Sequence, residues 1–222
     1  RRRRHYATSG GPTGRLLLDV EVAFDADATV YGDDPALGPA QGETARTALM
    51  GDIAHLPHGA ATLAFAVSAA APVERVDVFN GRTLVETLRP HGAGELGPRL
   101  RVIWEGATYR GRARQVVWDG TAEVVGDRIV EARPIAFLNR DKTLDRVGES
   151  GLAWRSVTTG NLAGFDIRLA DGWSGRLRID TPLLQADVAL ADIGVVEPVV
   201  AADGELASRI RIFRLPEIDA TT

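Results

Sequence analysis

Arginines at alternate positions are the first side chains whose spacing suggests chemistry. Arg110, Arg112 and Arg114 share one face of any strand that contains them, because successive side chains of a strand point to opposite sides. Trp104 and Trp118 flank this guanidinium ladder, and Tyr109 stands beside it. Interleaved arginines and aromatic rings can hold phosphate, single-stranded nucleic acid or a sugar ring. The competing reading is a solvated face whose guanidiniums pair with acids such as Glu123. The chain carries 26 basic and 30 acidic residues, a net charge of −4, which favours the solvated face. That balance also argues against nucleic acid or an anionic membrane as partner. The same parity runs on into Val116 and Trp118, so the face turns apolar midway, as at a bulge or where a strand enters a core.

Histidine and glycine patterns lead nowhere catalytic. Of four histidines only His55 and His58 lie close together, with Pro57 between them and Asp52 the nearest carboxylate. A metal needs three or four convergent ligands, so this pair reads as an ordinary loop. Cysteine is absent, which excludes disulfides, thiolate zinc sites and a cysteine nucleophile. Gly92, Gly94 and Gly97 match the spacing of a dinucleotide-binding loop. That loop works only when a helix N-terminus follows it. Here Pro98 and a strand-like run follow, so no cofactor is assigned. No H-x-H, H-E-x-x-H or G-x-S-x-G motif occurs. The sequence assigns no catalytic, cofactor-binding or metal-binding residue.

The elements around these residues have the period of strands. Leu16, Leu18, Val20, Val22 and Phe24 alternate with polar residues. Leu63, Phe65 and Val67 alternate in the same way, with a short Ala-rich helix as the rival reading. Runs at 73–79 and 82–88 flank Asn80-Gly81, a hairpin signal of type I′. Further β-type runs cover 99–104, 113–118, 121–125, 128–132, 134–138, 152–158, 165–169, 176–180, 183–191 and 210–215, separated by Gly- and Asp-rich turns. The pattern predicts an all-β, antiparallel β-sandwich with very little helix. Residues 31–51 read as a long surface loop with one helical turn near Glu43. Residues 1–14 read as the end of an upstream domain and a junction loop, and 15–222 as one domain. A weaker seam at 139–151 allows two packed β-units instead. The longest stretch without charge, 53–73, contains His55, Pro57, His58 and Gly59, and its apolar part is Ala-rich and too short to span a bilayer. A soluble protein is expected, with the cytoplasm favoured.

The opening Arg4-His5-Tyr6-Ala7-Thr8-Ser9-Gly10, followed by Arg15-Leu16-Leu17-Leu18, resembles PHP-type (polymerase and histidinol phosphatase) metallohydrolase-like proteins that carry a C-terminal β-rich extension. Met50-Gly51-Asp52, the run from Pro72 through Val78 and Val117-Trp118-Asp119-Gly120 are similar to that extension. The resemblance implies an accessory β domain that packs on a catalytic barrel upstream and frames its substrate entrance. In that family His, Asp and Glu on the barrel bind divalent metals for phosphoester hydrolysis, beginning with an H-x-H motif. No position here matches those ligands, so the metal is expected only in the upstream domain. The inserted Gly11-Pro12-Thr13-Gly14 and the 31–51 loop depart from the family's pattern. Within this reading His5, Tyr6, Thr8 and Ser9 line the edge of the cleft and position substrate. A capped helix end leading into a strand is the plainer alternative for them. A stand-alone sugar- or polyanion-binding sandwich, using Trp104, Trp118, Arg110, Arg112 and Arg114, is the second functional reading, and it requires the two indoles to lie exposed.

Overall fold

A computed structural model describes residues 5–8, 15–70, 72–107, 114–194, 198–201 and 208–217. Strand accounts for 58% of them and helical turns for 3%, so the fold is all-β and antiparallel, as the alternation predicts. The chain forms two compact units, Arg1–Pro90 and His91–Thr222. Residues 139–151 lead into and turn a hairpin inside the second unit, with Gly148 taking the positive φ (+65°) that its turn requires.

The first unit is organised by one long strand. β1 (Leu16–Tyr31) is 16 residues long. On one edge it pairs with β4 (Ala61–Ala69) along its first half and with β3 (Ile53–His55) at its end. On the other edge lies β2 (Gly42–Leu49). The loop expected at 31–51 therefore contains a strand where a helical turn was expected. Thr44 and Thr47 are β-branched and suit a strand, and the second half of β1 offers a ladder that outweighs local helix propensity. A bulge in β1 between Ala23 and Ala28 is closed by Arg46, which donates to Asp27 Oδ1 at 2.8 Å and to the Asp25 carbonyl at 3.2 Å. Hairpin β5 (Val76–Asn80) and β6 (Thr83–Leu88) completes the unit. Asn80 sits opposite Thr83, so Gly81-Arg82 is the two-residue loop, and Gly81 alone has positive φ, +62°. That is the pattern of a type II′ turn in place of the expected type I′.

The second unit is a sandwich. One five-stranded sheet runs β10 (Ile129–Ile135), β14 (Leu162–Leu169), β7 (Leu96–Glu105), β18 (Arg209–Pro216), β17 (Val199–Ala201). The other runs β11 (Leu144–Val147), β12 (Gly151–Trp154), β9 (Gly120–Val125), β15 (Arg176–Asp180), β16 (Gln185–Ala189). A two-stranded ladder joins β8 (Val116–Val117) to β13 (Val157–Thr158). One continuous core holds Val102, Phe165 and Ile212 from the first sheet against Val124, Leu152 and Leu177 from the second. Alternation explains this, since every second residue of β7, β14 and β15 is apolar and faces inward.

Three tryptophans occupy the centre of that core. Trp104 and Trp154 stack at 5.0 Å with their planes 14° apart, and Phe165 meets Trp104 edge-on at 5.8 Å. Each indole N–H has a partner. Trp104 donates to Ser156 Oγ at 3.0 Å, Trp118 to Thr158 Oγ1 at 2.8 Å, and Trp154 to the Trp118 carbonyl. Replacing Ser156 with Ala leaves a buried indole N–H without its acceptor. The expected loss is about 1–3 kcal/mol. All four tryptophans belong to the second unit, so urea unfolding followed by tryptophan fluorescence reads this loss on that unit alone. A shift below about 0.5 kcal/mol, typical of an unimportant surface change, contradicts the assignment.

Candidate functional site

The aromatic part of the expected binding surface lies in the core. Trp104 and Trp118 are both 0% exposed, so neither indole can stack on a ligand from solvent. The inward parity of β7 and the 2.8 Å bond to Thr158 place them there. Arg114 is exposed just before β8, while Arg110 and Arg112 lie outside the described residues. Glu123, the expected acidic partner of this ladder, stands in register with Arg178 of β15.

Of the residues expected at a junction, Tyr6 is anchored. His5, Tyr6 and Thr8 are exposed, and Ser9 lies outside the described residues. Tyr6 Oη donates to the Leu16 carbonyl at 3.0 Å, which ties the segment to the start of β1. An open groove of about 540 Å³ lies beside it, lined by Thr8, Arg15, Leu17, Ser68 and Ala70. His55 and His58 are exposed, in β3 and in the loop after it. Among the described residues no three His, Asp or Glu side chains gather to hold a metal ion. Gly92 leads into a single 3-10 turn, Ala93–Glu95, whose Glu95 accepts the Gly92 N–H at 2.8 Å before β7 begins. The glycines therefore present no helix N-terminus.

Sequence reasoning missed a polar groove on the outer face of the second sheet. It encloses about 430 Å³ and is lined by Thr121, Glu123, Arg178, Asp180, Gln185 and Asp187. Register explains the composition. Glu123, Arg178 and Asp187 lie side by side across three strands, and Thr121, Asp180 and Gln185 form the next row. Arg176 donates to Asp187 Oδ1 at 2.6 Å, Arg178 lies 3.6 Å from the other oxygen, and Gln185 donates to Asp180 Oδ1 at 3.1 Å. The signal was available in the sequence, because Arg176 and Arg178 alternate just as Arg110, Arg112 and Arg114 do. Opposite charges already satisfy one another here. The face offers hydroxyl, amide and carboxylate groups for hydrogen bonding but no nucleophile held by a base.

A second arginine is spent on structure. The Arg214 guanidinium lies 3.8 Å from the Trp173 ring and donates to the Leu96 and Gly97 carbonyls. Burial holds its pKa below the usual arginine value. Among the described residues no helix is long and apolar enough to cross a membrane. The chain matches no protein-family model, no curated protein and no solved structure.

The Asp187 fork makes a pH-dependent contribution. Its hydrogen bond from Arg176, helped by the Arg176 and Arg178 charges and opposed by desolvation, holds the carboxyl below its ordinary 3.8. A carboxylate with a depressed folded-state pKa stabilises fully above its unfolded value and loses that effect as pH falls through the folded one. The difference in Tm between wild type and Asp187→Asn should therefore be constant above about pH 5 and shrink below pH 3.8. Molar salt should also reduce it, since the pair is exposed. A difference that grows on acidification contradicts the assignment.

Proposed function

We propose that the chain is the non-catalytic accessory β region of a PHP-type, metal-dependent, phosphoesterase-like hydrolase, in which it packs on the catalytic barrel and frames the substrate entrance. The observation that carries this reading is the tie between Tyr6 and Leu16, 3.0 Å long. It holds the very segment that resembles the family, His5 to Thr8, against the first strand and beside an open groove. A segment fixed in this way can position a substrate without reacting with it. The described residues offer no ligand set that fits a divalent ion, so on this reading the metal belongs to the barrel and no step is derived through it here. The partner is that barrel, with neither nucleic acid nor membrane. The second reading, a sugar- or polyanion-binding module, loses its support with the burial of Trp104 and Trp118.

The coding sequence upstream of Arg1 tests the reading directly. An H-x-H motif followed by further His, Asp and Glu is expected, and their absence overturns it. In the protein that includes the barrel, Thr8→Val should lower kcat/KM about fivefold, the loss of roughly one neutral hydrogen bond, with Tm unchanged. Tyr6→Phe should lower Tm as well, because it breaks the tie to Leu16. Unchanged kinetic constants in both variants would make the segment purely structural.

A further inference from the structure

The four-stranded sheet of the first unit ends at β4, whose outer edge has no pairing partner among the described residues. Among the described residues β4 pairs with β1 alone. Ala70 N–H donates to the Arg15 carbonyl at 3.0 Å, and Ala60 accepts from Asp25 N–H at 3.2 Å. In an antiparallel ladder alternate residues aim their backbone groups at the same neighbour. Thr62, Ala64, Ala66 and Ser68 therefore face β1, while Ala61, Leu63, Phe65, Val67 and Ala69 aim N–H and C=O at the free edge. Natural edges are blunted by charge, proline, a bulge or shortness. β4 has nine residues, unbroken pairing with β1, no charge and no proline, and all but Phe65 and Val67 are exposed.

Its sequence, Ala-Thr-Leu-Ala-Phe-Ala-Val-Ser-Ala, reads almost the same in both directions. An antiparallel strand of a second copy, related by a two-fold axis through Phe65, sets each residue against its chemical like. Ala61 meets Ala69, Thr62 meets Ser68, Leu63 meets Val67, Ala64 meets Ala66, and Phe65 meets itself. Every edge-facing residue falls in a hydrogen-bonded pair, which gives about ten hydrogen bonds. The Thr62–Ser68 pairs add hydroxyl contacts across the seam. On one face Leu63, Phe65 and Val67 continue the apolar row of Leu16, Leu18, Val20 and Val22 into the second copy. On the other face only small side chains meet. The nearest like charges, Glu21 and Asp19 on β1, lie one strand back on each side, about 14 Å apart across three strand spacings and so largely screened.

We propose that β4 is the dimerisation edge of this protein, and that a second copy of the chain pairs with it, residue on matching residue about Phe65, to make one eight-stranded sheet. The interface is isologous and closes on itself. It is independent of the hydrolase reading.

Sedimentation equilibrium of the 222-residue chain from about 1 to about 200 µM should show a reversible monomer–dimer transition. Ala64→Lys combined with Ala66→Lys sets lysine against lysine twice across the seam. Within one copy these lysines face Glu21 and Asp19 of β1, so the unit itself is kept. The double variant should dimerise at least about tenfold more weakly, with its circular dichroism unchanged. Hydrogen exchange gives a readout that needs no variant. The Leu63, Phe65 and Val67 amides should gain protection with concentration, while Thr62, Ala64 and Ala66 stay protected throughout. A wild type that is monomeric across the range overturns the proposal. So does a dimer indifferent to the two lysines, or one whose edge-facing amides exchange alike at both concentrations.

Discussion

A buried indole N–H must find an acceptor inside the protein, and the second unit is arranged around that demand. An unpaired donor at such depth costs about 1–3 kcal/mol, and the core contains three. Ser156 and Thr158 satisfy two of them, one from the turn after β12 and one from β13. For those hydroxyls to reach Trp104 and Trp118, the chain after β12 must turn back along Val116–Trp118. It does so through the short β8–β13 ladder, the Trp118 N–H to Ser156 carbonyl bond at 2.8 Å and the Ser156 N–H to Asp119 Oδ1 bond at 2.9 Å. Thr158 Oγ1 then donates onward to the Gly106 carbonyl at 2.8 Å. Each group in the chain has a partner, so the network adds rigidity without an unpaired donor.

The same tryptophans set how the sheets meet. Trp104 comes from β7 and Trp154 from β12, one in each sheet, and their stacked rings fill the gap between the layers. Neighbouring backbone must yield to that bulk. Gly120, opposite Trp154 on the neighbouring strand β9, has space for no side chain, since a Cβ there would sit 2.9 Å from the Trp154 ring and 2.5 Å from the Asp180 carbonyl. A large ring on one strand and a glycine on its neighbour are two halves of one packing solution.

This is why the sequence was legible in some places and not in others. Alternation revealed β1, β4, β7, β14 and β15, since each has one clearly apolar parity. It failed at β2, where Gly-Glu-Thr-Ala-Arg-Thr-Ala-Leu buries only Ala48. That strand is defined by the ladder β1 offers and by Arg46 reaching Asp27, neither of which has a local signature. β3, β11 and β17 are three or four residues long, too short for any period. Trp104 and Trp118 illustrate a different limit. Aromatic rings beside arginines suit a ligand surface or a core equally well, and only the positions of Ser156 and Thr158, about forty residues or more away, decide between them. The polar groove on β9, β15 and β16 has no contiguous motif because each row takes one residue from each of three strands.

The two units solve the burial problem unequally. In the second, side chains from both sheets close over one another. In the first, only Phe24, Ala28 and Ala48 are buried among the described residues. The apolar row along β1 and β4 stays half-exposed, with Leu63 43% accessible. A sheet with a thin core depends more on its backbone ladder than on area removed from water. β1 accordingly serves as the spine, paired on both edges, with its bulge closed by Arg46 and by Asp25 accepting the Ala60 N–H at 2.7 Å. Opening free energy follows local contact density, so the first unit is the part of the molecule whose stability responds most to anything that extends its ladder. An added strand at β4 supplies hydrogen bonds where the unit's own core supplies least, and it lengthens the apolar row without exposing a new charge. The constraint that built the second unit is an inward one, a donor seeking an acceptor. The first unit faces its mirror image, a ladder with donors and acceptors still directed outward.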